Sequence, residues 1–355
     1  MGLEFLHREI DPAAFDLEAE RYCRRRRLDF RYLPRFGAYS RAYSGTIERD
    51  ASFLLHERGE TVGLALVPIE RCDGGLAVSI GGNFAPAPAV DGEHAERAAF
   101  SRIDEIARAS AVGKVALHAV LSTHPWSWNR LRVYGFVDGS GLDAVVDLTL
   151  DDAALWRTVR KSYKALINKY SDRNGCETVI VDAASPNRDL HETYRVLHAK
   201  CSGRVTREKT TFDLQYEMLL EGNATLFVLR CSDGVVGCAY FLQHGAAVDY
   251  FSMVDDPDLA SLRLPVSHVL VWAAIRYFKA RGFSLLRLSP PAAFSPVEGF
   301  GDYCDAKGLG IAHFKHGIAT GIATAFRGIR YYDETAFERD LETFRAAFHR
   351  SREER

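Results

Sequence analysis

A lysine and two histidines stand close together near the end of this 355-residue chain, in the run IAHFKHG at residues 311–317. Its alternation predicts a β-strand, on which side chains two positions apart share a face, so His313 and Lys315 would point the same way. An ammonium stabilises a developing oxyanion, and an imidazole accepts a proton near neutral pH. Acyl transfer to an amine needs both functions. The alternative is an ordinary surface strand that carries these residues.

Other residues could complete such a site. Asp302 and Asp305 precede the run and compete with His313 for the role of proton acceptor. Arg204 and Arg207 lie three apart in a loop, and guanidinium groups bind carboxylates and phosphates, although helix capping and surface pairing are the alternative. Tyr250, at the end of an apolar strand, either orients a substrate or belongs to the core.

The elements that must position these residues include an amphipathic helix predicted over 152–171. Its apolar stripe has helical spacing and leaves a cationic face. That face consists of Arg157, Arg160, Lys161, Lys164 and Lys169. It either holds substrate phosphates or is simply solvated.

A second cationic segment lies at 21–35, where arginines alternate with aromatic residues such as Tyr22 and Phe30. This combination is typical of RNA or phosphate binding. Acidic partners elsewhere in the fold could equally neutralise it.

An internal repeat indicates the architecture. The run FLL at 53–55 is followed by a polar turn and GLAL at 63–66, and the same order returns with FVL at 227–229 and GCAY at 237–240. Each hairpin precedes a helix, a glycine and an apolar strand. The pattern predicts a duplicated, mixed α/β (α+β) fold. We expect domains at 1–150 and 151–330 and a C-terminal helix over 331–355.

The amino-acid composition limits the classes of function that the chain can have. Hydrophobic residues make up 47% of the chain and charged residues 26%, and the formal net charge is −2, so any polyanion must be met by a local patch. Seven scattered cysteines predict reduced thiols in a cytoplasmic protein, with no metal site. The N-terminus lacks a signal-peptide core and no long apolar run follows, so we expect neither a membrane span nor an anchor.

Together, residues 155–171, 202–216 and 311–317 resemble the C-terminal half of the Fem (FemAB-like) family over roughly residues 150–320. The resemblance implies two tandem GNAT-like domains, each a mostly antiparallel sheet flanked by helices. It implies transfer of an aminoacyl group from aminoacyl-tRNA to an amine of a cell-envelope precursor, polysaccharide or related metabolite. It also assigns Phe314-Lys315 to substrate phosphate or oxyanion stabilisation, Arg160 and Lys164 to the basic helix of the second domain, and Tyr250 to the acceptor cleft.

The acyl donor stays open between aminoacyl-tRNA and acyl-CoA, with no tightly bound cofactor. The glycine-rich loop that cradles the CoA pyrophosphate in many GNAT proteins is absent, since SLRLP at 261–265 stands before the helix that follows the second hairpin. A CoA-dependent N-acyltransferase is therefore one alternative. A non-catalytic RNA-binding or assembly protein that uses the segment at 21–35 is the other.

Overall fold

The computed structural model describes residues 2–72, 74–170, 175–232, 234–262, 264–288 and 306–353. They form two compact units. The first unit contains the described residues up to Leu142, those at 306–312, and those from Thr324 onward. The second unit contains the described residues from Asp143 to 288 together with His313–Ala323.

The elements up to Leu142 belong to the first unit. They are β1 (Glu4–His7), α1 (Pro12–Arg26), α2 (Pro34–Ser44), β2 (Ile47–Asp50), β3 (Phe53–Glu57), β4 (Glu60–Ala65), β5 (Pro68–Cys72), β6 (Gly75–Val78), β7 (Ala85–Pro86), β8 (Ala89–Val90), α3 (Glu93–Ala109), β9 (Val112–His118) and β10 (Val137–Asp138), with 3-10 turns at Phe30–Tyr32 and Arg130–Tyr134.

The elements that follow run through the second unit and then return to the first. They are β11 (Gly141–Asp147), α4 (Asp152–Thr158), α5 (Lys161–Tyr170), β12 (Glu177–Val181), α6 (Arg188–Ser202), α7 (Lys209–Leu220), β13 (Ala224–Cys231), β14 (Gly234–His244), β15 (Ala247–Asp255), a 3-10 turn (Pro257–Leu262), α8 (Val266–Ala280), β16 (Leu285–Arg287), α9 (Ala306–His316), β17 (Gly321–Ala325), β18 (Arg327–Tyr331) and α10 (Glu334–Glu353).

Two sheets build the first unit. One has the strand order β1-β3-β4-β8, and the other has the order β10-β18-β9-β6-β5-β2, with β7 also paired to β9. α3 packs against β9 and β4, and α10 packs against β9 and β18. Strand β18 lies, except for its last residue, within the range 151–330 predicted for the second domain, and it pairs with strands of the first unit.

One seven-stranded sheet forms the centre of the second unit, in the order β12-β13-β14-β15-β16-β11-β17. Its described pairings are antiparallel except for β15 with β16. α8 packs on β13 and β14 from one side, where Phe227, Phe241 and Phe278 share a core with α5. α6 and α7 cover the other face, where His191 of α6 bonds to Tyr240 of β14.

The repeated hairpins have the same irregularity at the same place. In β3–β4 the register shifts after Leu55, which pairs with Gly63, and in β13–β14 it shifts after Leu229, which pairs with Gly237. A Cβ on either glycine would come within 3.0 Å of a neighbour, so both positions need the smallest residue. The shared bulge supports the predicted duplication of the fold.

Two predicted elements are wrong. The helix expected over 152–171 is broken into α4 and α5, because the backbone N–H of Arg160 donates to the carbonyl of Gly317 (2.8 Å) instead of continuing the helix. The strand expected over 311–317 is the end of helix α9. Two residues correspond to about 200° around a helix, so His313 and Lys315 point to different sides, not to one face.

The prediction that all cysteines are reduced is also wrong. Cys176 and Cys231 form a disulfide in the second unit. The reason is strand register: Glu177 pairs with Arg230, so the two cysteines that flank this pair face each other across β12 and β13. Cys23, Cys72, Cys201 and Cys238 are free thiols. Among the described helices, none combines the length and apolar character needed to cross a bilayer.

Candidate functional site: a buried charged cluster in the second unit

Charged side chains meet where the parallel pairing of β15 and β16 ends. Asp249 and Arg287 form the last pair between these strands, so their side chains share a face. Arg287 Nη2 donates to Asp249 Oδ2 (2.7 Å), and Arg287 Nε lies 3.9 Å from Oδ2 of Asp143 on β11. Each of the three side chains is at most 7% exposed. Their charges are therefore held in a low-dielectric environment.

Lys315 of α9 adds a second cation to this group. The residue is only 8% exposed. Burial lowers the pKa of its ammonium to about 8, while the carboxylate of Asp143 opposes that shift. Asp143, Asp249, Arg287 and Lys315 are called the charged cluster below.

Burial brings the titration of one member of the charged cluster, Lys315, close to neutral pH. The guanidinium of Arg287 is paired with the two aspartates. Lys315, with a pKa of about 8, is mostly protonated at pH 7 and loses its proton in mildly alkaline solution. A buried ammonium of this kind can stabilise negative charge that develops on a carbonyl oxygen, because little water screens it.

The predicted residues Arg160 and His313 do come together, although not around Lys315. Arg160 Nη1 contacts His313 Nε2 and donates to Tyr163 Oη (3.0 Å). A guanidinium only donates hydrogen bonds, so Nε2 of His313 must be the accepting nitrogen. The lone pair that a general base would use is therefore engaged by Arg160. Whether His313 acts in catalysis stays a prediction.

Phe314 and Lys164 each contact aromatic side chains of the second unit. The Phe314 ring lies 5.0 Å from that of His268 and 6.2 Å from that of Tyr163. Burial lowers the pKa of His268, which favours its neutral form. Lys164 Nζ lies 5.7 Å from the ring of Trp156. Phe314 is thus a packing residue beside Lys315, and Lys164 belongs to a partly exposed basic surface.

The remaining predicted residues are dispersed. Arg204 is exposed, whereas Arg207 is buried, donates to Tyr194 Oη (2.8 Å) and Gln215 Oε1 (3.0 Å), and lies over the Phe212 ring. The arginine pair is therefore not presented as one anion site. Tyr250 packs against Phe241 in the core, and burial raises its pKa.

Asp305 and its neighbour Asp302 lie outside the described residues. Their proposed role as proton acceptors stays a prediction.

Sequence reasoning missed Asp143, Asp249 and Arg287. Each is a charged residue with apolar neighbours in its strand, as in LLRL at 285–288 and AVDY at 247–250. Charged residues are almost never fully buried unless they are paired. A charged residue between apolar neighbours in a strand therefore indicates a buried ion pair. The three strands are far apart in the sequence, so the sequence does not show which of these charges pair with one another.

The arginine-rich segment at 21–35 is largely neutralised within the first unit. Arg24 pairs with Glu20, and Arg25 pairs with Glu60. Arg26 pairs with Asp91 in the same way. These ion pairs correspond to the alternative in which acidic partners balance the segment.

Known structures are similar to nearly the whole chain. The crystal structure of FemX aligns with a TM-score of 0.63 at 12% identity, over 94% of this chain and 99% of FemX. This chain has the tandem GNAT fold of FemX. The predicted mixed α+β architecture and the resemblance to the Fem family are thereby confirmed at the level of fold.

Two further structures and a family model agree with this fold. The C-terminal domain of a predicted lysylphosphatidylglycerol synthetase from Agrobacterium fabrum has a TM-score of 0.60 at 13% identity, over 93% of this chain and 95% of that domain. L-PGS from Bacillus licheniformis has a TM-score of 0.56 at 13% identity, over 89% and 97%. Residues 157–300 match the acetyltransferase (GNAT) domain family. No curated protein matches the chain in sequence.

Proposed function

We propose that the protein is an acyltransferase that moves an aminoacyl or acyl group to an amine of a cell-envelope precursor, a polysaccharide or a related metabolite. The observation that carries the proposal is the buried charged cluster around Lys315, in a unit that contains most of the match to the GNAT acetyltransferase family. FemX and the two lysylphosphatidylglycerol synthetase-type structures, which share the fold, support an envelope-linked acceptor by analogy.

In the proposed reaction the acceptor nitrogen attacks the carbonyl carbon of the donor. A C–N bond forms, the carbonyl oxygen becomes an oxyanion, and collapse breaks the bond to the leaving group, which is a ribose oxygen in aminoacyl-tRNA or sulfur in acyl-CoA. The Lys315 ammonium stabilises the oxyanion, and Asp143 favours its charged form. The amine proton passes to a general base, and the leaving group takes up a proton. Asp305 is one candidate for the base, and His313 is the other if Arg160 releases its Nε2.

Anionic parts of the substrates would be held by the cations around this site. Arg160 and Lys164 are the candidates on the basic surface, and Arg204 is the exposed candidate on the α6–α7 loop. An aminoacyl-tRNA donor would place the reaction in the cytoplasm, where charged tRNA is made. Disulfides are rare in the reducing cytoplasm, so the Cys176–Cys231 disulfide would be unusual in a protein of that compartment.

A direct donor comparison tests the proposal. Purified protein is incubated with charged tRNA or with acyl-CoA, together with candidate amine acceptors, and products are identified by mass spectrometry. Transfer from either donor that requires Lys315 supports the proposal. Absence of transfer from both donors across amine acceptors of each class would contradict it.

The CoA-dependent N-acyltransferase is the second candidate, favoured by the acetyltransferase family match at 157–300. If it is correct, acetyl-CoA or a longer acyl-CoA binds the native state and raises its melting temperature. The residues SLRLP at 261–265 lack the glycines that let a pyrophosphate approach the backbone, which argues against tight CoA binding.

A further inference from the structure

A groove of about 570 Å³ opens beside α8 and β12 in the second unit. Its lining combines the apolar or aromatic side chains of Ile180, Trp272 and Ala273 with the exposed cations Arg276 and Arg281. A site of mixed apolar and cationic character fits a ligand that is itself apolar at one end and anionic at the other.

Trp272, which lines this groove, is half-buried and contacts a second half-buried tryptophan. The ring of Trp272 on α8 lies 4.7 Å from that of Trp156 on α4, with an interplanar angle of 54°. Tryptophan is enriched at membrane interfaces, where its ring lies at headgroup level with an apolar body and a polar N–H. The tilt between the rings leaves no parallel slot in which a nucleic-acid base could stack between them.

Three cations lie near the tryptophan pair in space or along its two helices. Lys164 Nζ lies 5.7 Å from the Trp156 ring, Arg276 follows Trp272 by one helical turn, and Arg157 lies on the exposed side of α4. Within the part of the chain that the structure describes, neither Arg157 nor Arg276 forms an ion pair. These charges are therefore available to an anionic surface, in contrast to the paired arginines of the first unit.

Acidic residues near the groove are already matched. Asp182 accepts hydrogen bonds from Arg281 (3.1 Å) and Tyr277, and Asp152 lies 3.9 Å from Lys279. The net charge of this surface is consequently positive, although the whole chain carries −2. Trp156, Lys164, Trp272, Arg276 and Arg157 are called the tryptophan–cation patch.

We propose that the tryptophan–cation patch docks the protein on a membrane surface rich in anionic lipid. Anionic headgroups would face Arg157, Lys164 and Arg276, and the upper acyl region would meet the tryptophans and the apolar lining of the groove. RNA also offers anionic charge, but its bases bind by stacking on flat rings, whereas this lining continues into the aliphatic side chains of Ile180 and Ala273, so a lipid fits the combination better. The binding is reversible and electrostatic, and it is separate from any membrane-spanning segment.

The test measures how the full-length protein partitions onto vesicles and needs no catalytic turnover, so its outcome is independent of the proposed acyl transfer. Wild-type protein is sedimented with vesicles of phosphatidylglycerol and phosphatidylcholine, or of phosphatidylcholine alone. We expect binding only to the anionic vesicles, with a blue shift of tryptophan emission and release by salt. The double variant Arg157→Glu/Arg276→Glu changes only exposed side chains and should weaken partitioning at least about tenfold.

A charge-matched control shows whether a loss of binding is specific to the tryptophan–cation patch. Arg21→Glu/Arg132→Glu makes the same change at two exposed arginines of the first unit and should bind like wild type. A second variant, Trp272→Ala, is compared with Trp128→Ala, where Trp128 is a 49% exposed tryptophan elsewhere. The proposal is overturned if wild-type protein does not bind anionic vesicles. It is also overturned if Arg21→Glu/Arg132→Glu loses as much binding as Arg157→Glu/Arg276→Glu. It is equally overturned if the patch variant loses affinity for RNA and keeps its affinity for vesicles.

Discussion

In its proposed role, the buried ammonium of Lys315 affects activity and stability in opposite directions. An ionised lysine that is 8% exposed is poorly solvated, and its pKa of about 8 against 10.5 measures that penalty. A residue that destabilises the folded state and yet faces a carboxylate in the charged cluster is typical of a functional position.

Replacing Lys315 by methionine should therefore separate the two effects. Removal of an electrostatic stabiliser of the transition state costs about 100-fold or more in kcat. The same change removes a buried charge and should raise the free energy of unfolding at pH 7 by up to about 3 kcal/mol. Steady-state kinetics and urea unfolding measure the two effects.

Lys209→Met is the matched control, because Lys209 is an exposed lysine on α7. Lys209→Met should leave both kcat and the free energy of unfolding close to their wild-type values. Full turnover by a folded Lys315→Met enzyme would remove Lys315 from the mechanism.

The difference in stability between wild type and Lys315→Met should decrease as the pH rises. Below pH 8 Lys315 is charged in both the folded and the unfolded state, so the stability advantage of Lys315→Met is fully present there. Between pH 8 and 10.5 the unfolded state holds more protons on this residue, so wild type gains relative stability and the advantage fades. Unfolding measured from pH 6 to 10.5 should show this convergence.

The pH dependence of kcat provides a second test of the role of Lys315. If the ammonium stabilises the oxyanion, kcat falls as the pH rises through about 8. A rate that instead increases through this pH would assign Lys315 the role of general base. A single-turnover pH profile distinguishes the two roles.

At the scale of elements, hairpins were predictable and α9 was not. The hairpins β3–β4 and β13–β14 have short turns between strongly apolar strands, and local pattern decides such elements. In α9 the buried positions include Gly308 and Lys315, seven residues apart at helical spacing, but neither is an apolar side chain. The helical period was therefore invisible to a reading based on hydrophobicity, and the alternation at 311–317 favoured a strand.

The break between α4 and α5 has a similar explanation. No glycine or proline occurs between Asp152 and Tyr170, so the sequence predicts one helix. The bond from the Arg160 N–H to the Gly317 carbonyl and the close approach of Gly317 to the Tyr163 ring are long-range contacts. They bring Arg160 to His313, and such tertiary effects override local propensity.

The disulfide holds an edge strand in place. Cys176 and Cys231 join β12, at the edge of the second sheet, to β13 and enclose α6 and α7 in the loop between them. Cys176→Ser should lower the free energy of unfolding by about 2–4 kcal/mol in oxidising buffer. Reductant should lower wild type to the same value and leave the variant unchanged. Cys201→Ser, at an exposed free thiol, is the control, and an equal loss there would contradict the assignment.

At the scale of the molecule, the order of elements along the chain differs from their assembly in space. The charged cluster is gathered from β11, β15, β16 and α9, which span residues 141 to 316. The family resemblance indicated the fold and Lys315, whereas the partners of Lys315 required the strand order. The predicted boundaries at 150 and 330 could not reveal that the chain re-enters the first unit after the second is complete.

That return makes the first unit depend on the last residues of the chain. β18 lies between β9 and β10 in its sheet, and Asp340 of α10 accepts hydrogen bonds from Lys114 Nζ (2.6 and 2.8 Å) and Tyr331 Oη (2.8 Å). A chain that ends at Phe326 would leave the edge of β9 open and the partly buried Lys114 without its carboxylate, so the first unit should not fold.

The second unit retains all seven strands of its sheet in that shortened chain and should still melt cooperatively. Calorimetry and limited proteolysis are the measurements: we expect one remaining transition and a protected fragment that begins near Asp143. A chain that ends at Glu353 retains β18 and α10 and should behave like wild type. Protection of residues 2–142 in the shortened chain would show that the first unit is closed without its C-terminal strand and helix, and that these two elements are accessory.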